Sequence, residues 1–431
     1  MAVDSPAMET DLATDLVALI EASPGPFHAV EELARRLVAS GFTAADEVDR
    51  WELAPGDARF VVRDGGSIVA FRIGRLPPAD AGFRLVGAHT DSPTYRLRPR
   101  WDVRRAGFRL IGVEPYGGAL HHTWFDRDLT VAGRVVTVDA GGTRSHLVRL
   151  PGAPLRIPSL AIHLDRAVRT EGFAPNPQQH LVPIEGPDDG DGAAPLLARV
   201  AAGLGIDESA IAGHDLVLVD TQPASVDGDS IRAARLDNLS SCHAGLRALL
   251  SAEQADATQV LVANDHEEVG SRTAEGAAGP FLADVLARVV AATGGTPQDL
   301  HRAIRRSLLV SADTAHAVHP NYADRHEPEH QPRLGHGPVI KTNADQAYAT
   351  DAASQAGFVR ACRQAGVEPQ HFVSRADLPC GSTIGPLTAT RLGLPTVDVG
   401  MPILSMHSVR EQADARDVAP MVAALAAHYQ A

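Results

Sequence analysis

The sequence predicts an α/β fold interrupted by a β-rich insertion, and three observations predict it. "FRLVGAHTDSP" is a nearly continuous apolar run, as in a strand buried on both faces of a sheet. "QVLVANDHEEVGS", far along the chain, has the same character, so residues 83–93 and 258–271 belong to one sheet. Between them, from about residue 95 to 232, the texture changes to short alternating segments separated by Gly- and Pro-rich turns. The expected organisation is therefore residues 1–94 plus 233–431 as one α/β domain, with residues 95–232 inserted into it.

The elements follow in order. A helix over residues 10–22 starts at a Thr/Asp cap, and "FHAVEELARRLVAS" continues as an amphipathic helix to Gly41, with Pro24 and Pro26 between the two. "SIVAFRIG" and "FRLVGAHTDSP" are strands. "RLIGVEPYG", "LTVAGRVVTV" and "HLVRLP" are the alternating segments of the insertion, and "EGPDDGDGAAP" is a polar loop with the composition of a disordered one. A helix follows "RLDNLSS", "QVLVANDHEEVGS" is a strand, and a long helix fills roughly 278–293. "SLLVSADTAHA" and "PTVDVGMPILSMHS" are further strands, and a last helix ends the chain.

Composition narrows the function. At 431 residues, 44% hydrophobic and 21% charged, the chain reads as an ordinary globular protein with a large core. A formal charge of −14 argues against nucleic acid or an anionic membrane as partner. Cys242, Cys362 and Cys380 are too scattered for a disulfide framework or a thiolate zinc site. "MAVDSPAMETD" lacks a basic leader region, and no apolar stretch approaches the ~20 residues of a membrane span, so a cytoplasmic placement is expected. Of 39 basic residues all but Lys341 are arginine. A compact ammonium kept in such a background is either a functional cation or a chance survivor.

The chemistry lies where apolar strands end. "VGAHTDSP" carries His89 and Asp91 on one face, so the aspartate can orient the imidazole. "ARLDNLSS" places Asp237 before a helix, where an N-cap is the ordinary reading. "NDHEEVGS" carries the adjacent Glu267 and Glu268; "VSADTAHAVHPNY" carries Asp313, His316 and His319; "LSMHSVRE" carries His407. One such residue is unremarkable at the rim of a sheet. Five segments that each deliver Asp, Glu or His to a strand end or a helix start point to one crevice. Carboxylates and imidazoles without thiolates suit zinc, manganese or cobalt in a hydrolytic site. An aspartate bridging two ions, with two further ligands on each side, would hold them roughly 3.5–4 Å apart. Of two adjacent glutamates, one can bind metal while its neighbour serves as general base.

Together "SPGPFHAV", "GAHTDSP", "RLDNLSS", "HEEVGS", "DTAHAVHPNY", "GPVIKTNADQAYAT", "PCGSTIGP" and "MHSVRE" resemble the aspartyl aminopeptidase family of di-zinc peptidases, from about residue 20 to the C-terminus. The resemblance implies a three-layer α/β/α core with an inserted β-rich dimerisation domain. It implies two divalent ions per subunit, with zinc the expected metal and cobalt or manganese as alternatives. His89, Asp237 and Asp313 would hold one ion, and Asp237 would bridge to a second held by Glu268 and His407. Glu267 would be the base, and Asp91 the partner of His89.

The same resemblance assigns Lys341 to the acidic side chain of the substrate, with Tyr348, Ser382 and Thr383 lining that pocket. It gives His163 a role in the site of a paired subunit, steadying the charged intermediate, or else a place among the metal ligands. A histidine after an apolar run is otherwise ordinarily a core residue. His316 is a second candidate for stabilising an oxyanion, and His319 a structural one. The implied activity is release of N-terminal Asp or Glu from peptides by a homo-oligomer of twelve subunits built from dimers. A di-metal aminopeptidase of broad or neutral specificity is the alternative on the same core.

Overall fold

The computed structural model describes residues 6–139, 141–189 and 194–431. Its chain divides into two units. The first comprises residues 1–91, 224–406 and 411–431; the second comprises residues 92–223 and 407–410. Gly190–Ala193, within the polar loop expected from sequence, lie outside the described residues, and Ile184–Pro187 just before them form a strand.

The first unit is built on a sheet of nine described strands. In spatial order they are Thr43–Ala44, Ala58–Arg63, Ser67–Arg72, Thr258–Asn264, Phe83–His89, Leu308–Ala312, Thr396–Gly400, Val339–Thr342 and Gln370–Val373. The four from Thr258–Asn264 to Thr396–Gly400 run parallel, so their C-terminal ends share one edge. Period two sorts their side chains onto two faces. Ile68, Ala70, Val86, Ala88, Leu261, Ala263, Val310, Val397 and Val399 pack with the helices Pro26–Ala39, Leu236–Ser251 and Val418–Gln430. Val69, Phe71, Phe83, Leu85, Val260, Val262 and Leu309 pack with the helices Phe281–Ala292 and Pro297–Arg305. A sheet buried on both faces must be apolar at every position, which is why these strands read as unbroken runs. The α/β class expected from sequence is thus observed.

One expectation needs correcting. The strand expected over "QVLVANDHEEVGS" stops at Asn264. His266 takes a left-handed conformation (φ +64°), and Glu267–Val269 form a single 3₁₀ turn. Both glutamates are therefore carried past the sheet edge on a tight turn rather than on alternate faces of a strand.

The second unit is a six-stranded antiparallel sheet with its own core around Tyr95, Trp124, Leu129 and Val131. Just beyond it in sequence, Ser225–Asp227 pairs with Ser230–Ala233, which pairs in turn with Glu411–Asp414, all in the first unit. No helix among the described residues is long and apolar enough to cross a membrane.

Acid sensitivity is built into the core at His428, on the last helix. Its Nε2–H donates to the Leu85 carbonyl at 3.0 Å, and the ring is 1% exposed. Burial, with the nearby Arg84 charge second, pushes its pKa down to about 3. The unfolded chain therefore binds a proton here that the native chain refuses between about pH 6.5 and pH 3. Stability from this residue is complete above that window and is lost as pH falls through it, by up to about 1.4 kcal/mol per pH unit. His428→Gln keeps a donor and cannot titrate. Urea midpoints at pH 7 and pH 5 are expected to differ less for the variant than for the wild type, and equal differences would refute the assignment.

Candidate metal centre

The shared edge of the parallel strands gathers side chains from distant parts of the sequence. His89 ends Phe83–His89 and is buried. Asp313 follows Leu308–Ala312 directly, and Asp237 lies in the first turn of Leu236–Ser251. Ligand atoms of His89, Asp237 and Asp313 lie within 4.8 Å of one another, as do those of His89, Glu267 and Glu268. His89 Nε2 is 3.3 Å from Asp237 Oδ1 and 3.5 Å from Asp313 Oδ1. Asp237 is not the N-cap that a sequence reading allows. Arg235 occupies that position, and Asp237 has a non-helical ψ of 105°, with its main-chain N–H donated to Glu411 Oε2 at 3.0 Å.

Asp91 does more than accompany His89. His89 Nδ1 lies 3.1 Å from the Asp91 carbonyl oxygen and 3.3 Å from its carboxylate. The same carboxylate accepts the main-chain N–H groups of Glu267 at 3.2 Å and Glu268 at 3.1 Å. It therefore fixes the turn that presents both glutamates as well as the ring. Behind Asp313 the chain has no spare room. A β-carbon on Gly400 would sit 1.9 Å from the Asp313 carbonyl oxygen, so only glycine fits there.

Packed this tightly, the cluster is electrostatically loaded. Burial, then the neighbouring carboxylates, hold the Glu267 and Glu268 carboxyls above the usual range despite the opposing effect of His89. Burial works against a charged His89, yet hydrogen bonds to Asp237, Asp313 and Asp91 outweigh it and hold the imidazole well above its usual pKa. A dication at such a place would relieve the repulsion among its ligands.

Residues 19–429 match the model of the Aminopeptidase I zinc metalloprotease (M18) family.

The chain belongs to the M18 family.

It is a zinc aminopeptidase, a hydrolase. A probable M18 family aminopeptidase 2 of Pseudomonas paraeruginosa is 48% identical over 429 residues, covering 98% of this chain and 99% of that relative. Among solved structures, the Ape4 and Nbr1 complex matches with a TM-score of 0.94 and 36% identity, over 100% of this chain and 88% of that one. The S. cerevisiae mApe1 dodecamer matches with a TM-score of 0.84 and 30% identity, over 98% and 96%. The donor set of this M18 chain, imidazole with buried carboxylates and no thiolate, fits the family's zinc.

The other predicted residues of the M18 chain fall at different distances from the cluster, with Lys341 directly against Asp313. His407 has a φ of +67° and belongs to the second unit, where its Nδ1–H donates to the Gly118 carbonyl at 3.2 Å. That bond leaves the acceptor lone pair on Nε2. Lys341, in Val339–Thr342, is 2% exposed, with Nζ 3.4 Å from Asp313 Oδ2, 3.1 Å from the Thr314 carbonyl and 5.1 Å from the Tyr348 ring centroid. Thr383 caps Ile384–Leu392 and donates to Asp398 Oδ1 at 2.6 Å, whereas Ser382 beside it is exposed. His316 is exposed, its ring edge-on to Phe372 at 5.7 Å. It borders a cavity of about 310 Å³ lined also by Phe372, Arg375, Ile403 and Met406. His319 accepts the Asn321 N–H and caps the turn Pro320–Arg325. His163 lies on an exposed turn of the second unit and is not a core residue, because the apolar residues around it, Leu160, Ile162 and Leu164, are exposed too.

Sequence reasoning missed three residues. Glu411 holds the Asp237 N–H, Gly400 gives the Asp313 carbonyl its space, and Asp398, fully buried, ties Thr383 to the Ala349 N–H. Only Glu411 had a local signal, its place in "MHSVRE".

Proposed function

We propose that this M18 aminopeptidase holds two zinc ions and releases acidic residues from the N-termini of peptides. The observation that carries the reading is the convergence of His89, Asp237, Asp313, Glu267 and Glu268 at the ends of parallel strands. In this reading His89 and Asp313 would hold one ion, Glu268 and His407 would hold the other, and Asp237 would serve both. When bound, zinc supplies Lewis-acid activation of water and of the scissile carbonyl. Glu267 takes the proton of the attacking water and returns it to the leaving nitrogen. Asp91 keeps Glu267 in reach through its main-chain N–H, and His316 is assigned to steady the charge that builds on the carbonyl oxygen.

Selection of an acidic residue falls to Lys341, the one lysine in a chain of net charge −14, with its ammonium over the Tyr348 ring and with Ser382 and Thr383, from the separate motif "PCGSTIGP", assigned to the same pocket. A second reading, broad specificity, draws support from the same residue: its ammonium is buried against Asp313 and the Thr314 carbonyl. Lys341→Met separates the two. Acidic selectivity predicts that kcat/KM on Asp- and Glu-terminated reporters falls on the order of 10²-fold, the worth of a desolvated charged partner, with Leu- and Ala-terminated reporters little changed. Equal losses on all four reporters would establish the broad reading. Like the mApe1 dodecamer, the chain assembles into a homo-oligomer in this reading, with exposed His163 reaching the site of a second copy in the cytoplasm.

A further inference from the structure

We propose that Glu411 is a positioning residue of the zinc site, holding Asp237 through its main chain. The inference rests on Asp237 being a zinc ligand. The first N–H groups of a helix have no partner within it. A Ser, Thr, Asp or Asn at the N-cap usually supplies one, but Arg235 precedes this turn at φ +61° with no side-chain cap, and the turn itself is kinked, Asp237 and Asn238 having non-helical φ/ψ. The Asp237 carboxylate has Oδ1 3.3 Å from His89 Nε2. The acceptor comes instead from 174 residues away, where Glu411 Oε2 takes the Asp237 N–H at 3.0 Å.

Two features make this a device for placing the ligand rather than a surface contact. Glu411 is 2% exposed, and burying a carboxylate beside an acidic cluster is costly unless it is used. Its strand, Glu411–Asp414, pairs antiparallel with Ser230–Ala233 in a register that sets Glu411 opposite Ala233. The glutamate is thus locked four residues from the aspartate it serves, and the peptide of Asp237 is fixed independently of any metal. Glu411 also opens the chain segment directly after His407–Arg410, so one side chain anchors the stretch that follows His407 to the residue that carries Asp237.

The test uses the full-length protein and zinc alone, with affinity read by competition against a chromogenic chelator below the melting temperature of every variant. Glu411→Asp keeps the charge but withdraws the acceptor by one methylene; Glu411→Ser withdraws it by two carbons and removes the charge. Both are expected to bind zinc 10–100-fold more weakly, as when a partner of a ligand is removed. Glu411→Gln keeps the acceptor in reach and is expected to match the wild type. A merely structural role would lower the melting temperature of the shortened variants and leave their zinc affinity intact. That outcome overturns the proposal, as does a Gln variant as weak as the Asp one. Asp237→Asn is the control: if it keeps wild-type affinity the zinc site itself is misassigned, whereas if it alone loses zinc only the role of Glu411 fails.

Discussion

Glu267→Gln is expected to cut kcat by roughly 10²–10⁴-fold, the usual worth of a positioned general base, while zinc content stays at the wild-type level. Both adjacent glutamates come within 4.8 Å of His89 and both carboxyls are raised by burial, while Glu268 also lies within 4.8 Å of Asp237, as a ligand shared with it would. The paired variant Glu268→Gln separates them, because loss of a ligand lowers zinc content and activity together. Metal analysis and kinetics on the same preparations decide the assignment. A Glu267→Gln protein that loses its zinc, or one that turns over normally, would transfer the role of base to another group.

Asp237→Asn should remove the zinc-dependent part of stability. A metal that binds only the folded chain stabilises it by about 4 kcal/mol at a thousandfold excess over Kd. The wild type should therefore melt several degrees higher with zinc than after chelation, and the variant should melt at the same temperature in both. The amide keeps the size of the side chain and one acceptor oxygen, so the fold survives. What is lost is the negative charge next to His89, Glu267 and Glu268 that the dication neutralises. A full zinc-induced shift in the variant would mean that Asp237 is not a ligand.

The parts of the site legible in sequence are those encoded locally. An apolar run that ends in His89, or one that ends just before Asp313, states both the strand and the residue at its tip, and parallel pairing then brings the tips together without further information. The turn at Glu267–Val269 was less legible. Period two extends an apolar strand into its polar end with no mark of where pairing stops, and it is His266, at φ +64°, that breaks the strand. Long-range packing was not legible at all. Nothing near Asp237 says that its N–H will be taken by Glu411, and nothing near Gly400 says that a carbonyl of Asp313 fills its side-chain space. Lys341 shows the same limit: its rarity marks it in the sequence, but its burial beside Asp313 follows from the register of Val339–Thr342 within the sheet.

The most direct test is anomalous scattering at the zinc edge from crystals of the full-length protein grown with zinc. The expected result is a strong peak bounded by His89, Asp237 and Asp313, with a second beside Glu268. Crystals whose zinc signal lies away from these side chains, with none among them, would contradict the assignment of the cluster as the metal centre.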